Sequence, residues 1–200
     1  MNFLSSLTQS GKVRPFLLAL CLGIAAPGAL AVRDDVQVPG TKTWHWYSRD
    51  AVTDENLSEI FLDEQYTQNT YLTFKCWGDR GFQFGVTTKH TLLPDLDELD
   101  LNSLYRVTYR IGTALPATVY DLGRLGVDGA VRRDTLGLRD TAANEAILSG
   151  LLSGQKVILR VEPNGPDALV RQPLTLTFLP AGVPQAFKAI QSCDMGVLPG

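Results

Sequence analysis

The 200-residue chain has only two histidines, His45 and His90. A three-histidine metal site is therefore excluded, and any nucleophile–histidine triad has only these two to draw on. Neither stands near a G-x-S-x-G elbow. His45 alternates with Trp44 and Trp46 in a strand-like run, and His90 closes another, so both read as polar surface or edge residues. Positive charge is not in excess: 18 Lys and Arg stand against 21 Asp and Glu. That balance argues against nucleic acid as a partner, because such binding rests on neutralising phosphates. Internal repeats and low-complexity tracts are absent, as is any apolar run long enough to span a bilayer. Cysteine is scarce too, at three residues, which is too few for a dense disulfide framework.

The N-terminus carries an address. Lys12 and Arg14 precede the apolar run Phe16–Ala26, then Pro27-Gly28 and Ala29-Leu30-Ala31. A basic start, a short apolar core and an A-x-A site make a secretory signal peptide. The run is too short and wrongly flanked for a spanning helix, and an N-terminal membrane anchor is the rival reading. Leu20 before Cys21 is bulky where a lipoprotein signal needs a small residue. Residues 1–31 are expected to be removed after Ala31, which places the protein in the periplasm or outside the cell. The loss of Lys12 and Arg14 takes the formal net charge from −3 to −5. The remainder suits one domain burying roughly 70% of its unfolded surface.

Processing leaves Cys76 and Cys193. Two cysteines in an oxidising compartment most simply form one bridge. A metal pair would want further ligands, and redox couples usually sit close in sequence. Closing so long a loop stabilises by about 4–5 kcal/mol in the chain-entropy model.

The organising stretch is Asn69–His90. Leu72, Phe74 and Cys76 alternate with Tyr71, Thr73 and Lys75, and Phe82, Phe84 and Val86 alternate with Gln83, Gly85 and Thr87. Period-two patterning of this composition is the strand signature. Gly78-Asp79-Arg80-Gly81 supplies the turn of a hairpin. Around it, residues 32–43 read as a flexible leader and residues 44–200 as a single β-rich domain. Strands are expected at Trp44–Ser48, Leu57–Glu64, Leu104–Ile111, Ala117–Leu122, Gln155–Glu162 and Gln172–Leu179. Thr141–Ser153 has a capping Asp140 or Thr141, an apolar stripe of Ile147, Leu148, Leu151 and Leu152, and a terminating Gly154, so it reads as a helix. Pro184–Cys193 reads as a short helix burying Phe187 and Ile190.

Four further features invite functional readings. Thr91–Ser103 holds four acids, but a calcium loop from Asp95 would place Asp100 where glycine is needed and Arg106 where the bidentate glutamate belongs, so it reads as a solvated turn or one-turn helix. Asp97 and Glu98 lie in this stretch without an apolar pocket to tune them. Trp44, Trp46 and Trp77 could stack on a sugar or peptide, or fill the core. Gly123–Asp140 is the most irregular region and reads as a mobile surface loop. Its Arg124, Arg132, Arg133 and Arg139 are the candidate contact for an acidic partner. No cofactor or metal site is indicated.

Trp46-Tyr-Ser48 with Thr53-Asp54, Leu72-Thr-Phe-Lys-Cys76, Val107-Thr-Tyr-Arg-Ile111, Phe178-Leu-Pro-Ala-Gly-Val183 and Ala189-Ile-Gln-Ser-Cys193 follow one another in an order that resembles small exported bacterial proteins of the VasI/TagO type. These accompany some type VI secretion systems. The resemblance implies a β-rich fold with a disulfide to a C-terminal helix and an accessory role in the envelope. It implies no catalytic residues.

The expected fold is mainly β, with antiparallel sandwich-like sheets and two short helices, one of them disulfide-linked at the C-terminus. The expected function is that of an exported, non-enzymatic accessory protein that binds or supports a protein assembly of the cell envelope. The alternative is an envelope hydrolase or a carbohydrate-binding module.

Overall fold

The computed structural model describes residues 34–76, 82–95, 99–127, 130–191 and 193. The expected signal peptide, Trp77, the expected turn at 78–81, Asp97 and Glu98 lie outside the described residues.

Among the described residues, eleven strands and three helices follow in order: β1 (Val36–Gln37), β2 (Thr43–Trp46), β3 (Glu59–Asp63), β4 (Tyr71–Cys76), β5 (Phe82–Thr87), α1 (Leu101–Leu104), β6 (Tyr105–Ile111), β7 (Ala117–Val119), β8 (Leu122–Val127), β9 (Ala130–Leu138), α2 (Thr141–Leu152), β10 (Val157–Pro163), β11 (Leu174–Phe178) and α3 (Val183–Ala189). They form a seven-stranded sheet, β1-β2-β3-β4-β5-β9-β8, and a four-stranded sheet, β11-β10-β6-β7. All pairings are antiparallel. The fold is thus mainly β and antiparallel, as the alternation requires.

The central hairpin keeps its expected alternation. Leu72 pairs with Val86 and Phe74 with Phe84, and the Phe74 and Phe84 rings meet edge to face at 4.7 Å. These side chains join Ile60, Leu62 and Leu136 in one buried cluster with Val107, Leu159 and Phe178 of the other sheet and Ile147, Leu148 and Leu151 of α2. Burying each such side chain stabilises by about 1.5–3 kcal/mol. Tyr105 is also buried, and its hydroxyl is satisfied: it donates to the Leu92 carbonyl at 2.8 Å and accepts from the backbone of Leu169 and Val170.

Cys76, the last residue of β4, is bonded to Cys193 across 117 residues of sequence, with a Cα–Cα distance of 5.4 Å. Cys193 lies beyond the end of α3 rather than within it. Asn56 adds a second tie to the same region, donating to the Ile190 carbonyl at 2.8 Å. Asp140 caps α2 by accepting from Ala143 N–H at 3.1 Å.

Two expectations change and a third is met in part. The segment expected as a flexible leader contributes β1, whose Val36 and Gln37 pair with His45 and Trp44, and Thr43 is fully buried. The acidic stretch leads into the expected one-turn helix, α1, capped by Asp100, but it is only partly solvated, since Leu92, Leu93, Leu101 and Leu104 are buried. Gly123–Asp140 is no surface loop. It holds most of β8 and all of β9, and Leu136 and Leu138 enter the core. Two of its glycines, Gly123 and Gly137, are there for space. Gly123, Gly137 and Gly85 lie side by side across β8, β9 and β5. A Cβ on Gly85 would overlap the Leu125 side chain, and one on Gly123 would overlap the Arg139 guanidinium.

Candidate functional site

The second face of the seven-stranded sheet carries a groove of about 520 Å³. Strand register sets its side chains in rows. One row runs Asp63, Tyr71, Thr87, Thr135. The next runs Trp44, Phe61, Thr73 and then Gly85, Gly137 and Gly123. A third runs Trp46, Glu59, Lys75, Gln83. The middle row ends on glycine, which leaves room for the β8–β9 hairpin to approach. That hairpin has a break in register: Leu125 stands alone opposite Arg132–Thr135. Unequal strand lengths bend a β-ribbon, and here Leu125, Gly126 and Arg132 come to line the groove.

The polar groups of the groove hold one another. Arg132 makes a two-pronged contact with Asp134, Nε to Oδ1 at 3.0 Å and a terminal nitrogen to Oδ2 at 2.7 Å. Its other terminal nitrogen donates to the Tyr71 hydroxyl at 2.9 Å. Lys75 Nζ lies 3.0 Å from Glu59 Oε1. Trp44 Nε1 donates to Asp63 Oδ2 at 3.0 Å. The Thr87 and Thr135 hydroxyls share a hydrogen bond of 2.8 Å, and Thr135 also donates to Asp134 Oδ1. Phe61 and Tyr71 pack edge to face, with centroids 5.7 Å apart. Burial pushes the Asp134 carboxyl up, but the Arg132 and Thr135 hydrogen bonds and the Arg132 charge outweigh it and hold the group below the usual carboxylate range. The Asp134 hydrogen bond raises Arg132 above its already high value.

No histidine lines the groove. Asp134 is held low by its match to Arg132, away from the neutral range that a general acid or base uses. Among the described residues, no group of three His, Cys, Asp or Glu side chains is placed to hold a metal ion.

The structure separates the four candidate arginines. Arg132 enters the groove. Arg133 donates from Nε to the Leu93 carbonyl at 2.9 Å and so ties β9 to the segment after β5. Arg139 lies against Gly123, and Arg124 is a half-buried residue of β8. Of the tryptophans, Trp44 forms a wall of the groove, while Trp46 stands one row away opposite Glu59. His45 projects from the opposite face of β2 to Trp44, with its Nδ1 buried and unpartnered. His90 is exposed and engages Thr88 only through its backbone.

Phe61, Tyr71, Thr73, Lys75, Gln83, Thr87 and Thr135 were not legible as site residues. They belong to the alternate positions that ordinarily face solvent. Two aromatics there, Phe61 and Tyr71, beside a glycine at 85, were the available signal. Neither a scan against protein-family models nor searches of curated proteins and of solved structures found a match.

Proposed function

We propose that this chain is an exported, non-enzymatic protein of the cell envelope that binds and supports another envelope component, with the groove over β2–β5 as its contact site. The observation that carries the reading is the groove's make-up. Three aromatic walls and a floor of hydroxyl and amide groups stand among charges that already neutralise one another. Pre-organised, internally paired side chains lower the ordering cost of binding, and Trp, Tyr and Arg are the residues that most often dominate contact energies. The Cys76–Cys193 bond supports an oxidising compartment. The signal-like N-terminus supports export, and the motif order that resembles VasI/TagO-type proteins supports an envelope role.

The test is retention. Processed protein is washed over its native envelope fraction beside a Thr73→Trp variant, whose indole fills the middle row of the groove. Wild-type protein is expected to be retained saturably and the variant released, with both showing the same thermal transition. Equal retention of the two, or of neither, would remove the groove from the function.

A carbohydrate-binding reading gains specific support from Trp44, which was a candidate stacking residue on sequence and lines this groove.

A further inference from the structure

Resting on the reading of the groove as a contact site, we infer that its occupant is a neutral oligosaccharide, so that the protein is anchored to envelope glycan. Electrostatics is the first ground. The lining holds three acids, Asp35, Glu59 and Asp63, and two bases, Lys75 and Arg132. Both bases are matched to carboxylates, Lys75 by Glu59 and Arg132 by Asp134. A phosphate, uronate or other anionic ligand would have to break those pairs.

Solvation is the second. An alkyl chain laid across Thr73, Gln83, Thr87, Thr135 and the two ion pairs would strip water from many polar atoms and return no hydrogen bonds. An added β-strand is also disfavoured. The groove lies on the face of the sheet, where the backbone N–H and C=O groups are spent on neighbouring strands, so only side chains are offered.

A sugar ring matches what remains. It has an apolar face of C–H groups for the Trp44, Phe61 and Tyr71 rings, and a rim of hydroxyls that both donate and accept. The groove provides both kinds of partner. Asp63 has Oδ1 besides the Oδ2 that Trp44 engages. The Tyr71 hydroxyl accepts from Arg132 and keeps its own proton to donate. Lys75 keeps donors beyond the one toward Glu59, and the Gln83 amide both donates and accepts. The groove's 520 Å³ lies within the roughly 300–1,000 Å³ of small-ligand sites, a size that suits a short oligosaccharide better than one ring.

The experiment titrates the processed protein, by calorimetry and tryptophan fluorescence, with neutral trisaccharides of glucose and of N-acetylglucosamine. A trisaccharide of uronic acid and a long-chain fatty acid serve as competitors. Expected is saturable binding of a neutral trisaccharide, weakened by roughly tenfold or more in Trp44→Ala and in Thr73→Trp, as the loss of a stacking face and a blocked floor should bring. Thr73→Trp keeps the test sound should Trp44→Ala not fold. No binding of any neutral trisaccharide, tighter binding of the uronate or fatty acid, or binding that Thr73→Trp leaves unchanged would each overturn the inference. Should envelope retention depend on the groove while no neutral sugar binds, the inference falls and the contact-site reading stands. Should retention ignore the groove, that reading falls, and the titration still decides whether the groove takes sugar.

Discussion

The Glu64 carboxylate accepts the backbone N–H of Thr177 at 2.9 Å, which joins the end of the seven-stranded sheet to the edge strand of the four-stranded one. Glu64 is 1% exposed. Its second oxygen accepts from the backbone of Tyr66 at 2.7 Å and of Thr67 at 2.5 Å, and Gln65 N–H reaches the Thr177 carbonyl at 2.9 Å. Lys42 closes the arrangement by donating to the carbonyls of Glu64 and Gln65. The β3–β4 connection thereby covers the outer edge of β11, where open N–H and C=O groups would otherwise invite pairing.

Glu64→Gln should therefore be destabilising, by about 1–3 kcal/mol. The amide replaces one acceptor oxygen with a donor that faces an N–H. A urea midpoint shift with unchanged slope measures it, and an unshifted midpoint would remove Glu64 as a link between the sheets.

Acid should unfold the protein in part through the same group. Burial pushes the Glu64 carboxyl up, but its hydrogen bonds to Thr177, Thr67 and Tyr66 outweigh burial and hold it below its ordinary value. Asp134 is likewise lowered. The unfolded chain then takes up protons first as pH falls. Stability from these carboxylates is fully present above their unfolded values, near about 4, and is lost as pH drops through the folded ones. Urea midpoints should be flat from neutral pH to about 5 and fall below about 4, with a shallower acid limb in Glu64→Gln. An identical acid limb in the variant would refute the assignment.

The bond between Cys76 and Cys193 should leave no free thiol in non-reduced intact protein. A Cys76→Ser/Cys193→Ser double variant should lose about 4–5 kcal/mol, less any strain released, since the bridge spans so long a loop. Proteolysis after α3 should become faster in the variant. Two titratable thiols in the native oxidised protein would contradict the pairing.

Gly85→Ala should cost about 1–3 kcal/mol because the added methyl meets Leu125. Leu125→Ala should relieve part of that cost, so a double-mutant cycle returns a coupling of about 0.5–3 kcal/mol. Additive effects would mean that the β8–β9 hairpin does not rest on Gly85.

Leu72–Phe74–Cys76 and Tyr105–Val107 were readable as strands because a period of two is imposed by the backbone and survives in any tertiary setting. Capping by Asp140 and the stop at Gly154 were readable for the same reason, since caps are local chemistry. The region from Gly123 to Asp140 misled. Its glycines match a loop by composition, yet Gly123 and Gly137 serve close approach between strands and to Leu125 and Arg139. The groove was hidden behind a sound rule: half-buried polar positions on strands usually face water, and no local pattern tells Thr73 on an open sheet from Thr73 beneath a bent hairpin.

Sequence by itself determined the strands of the central hairpin, the helix at Thr141–Leu152 and, through the cysteine count, the covalent pairing of Cys76 with Cys193. These follow from short-range periodicity and from the chemistry of two thiols. Tertiary structure alone decided that Leu125 and Arg132 overhang Trp44, Phe61 and Tyr71, and that Glu64 meets Thr177. Those contacts join segments from 54 positions to 113 apart in sequence, and strand order and register, not local preference, bring such segments together.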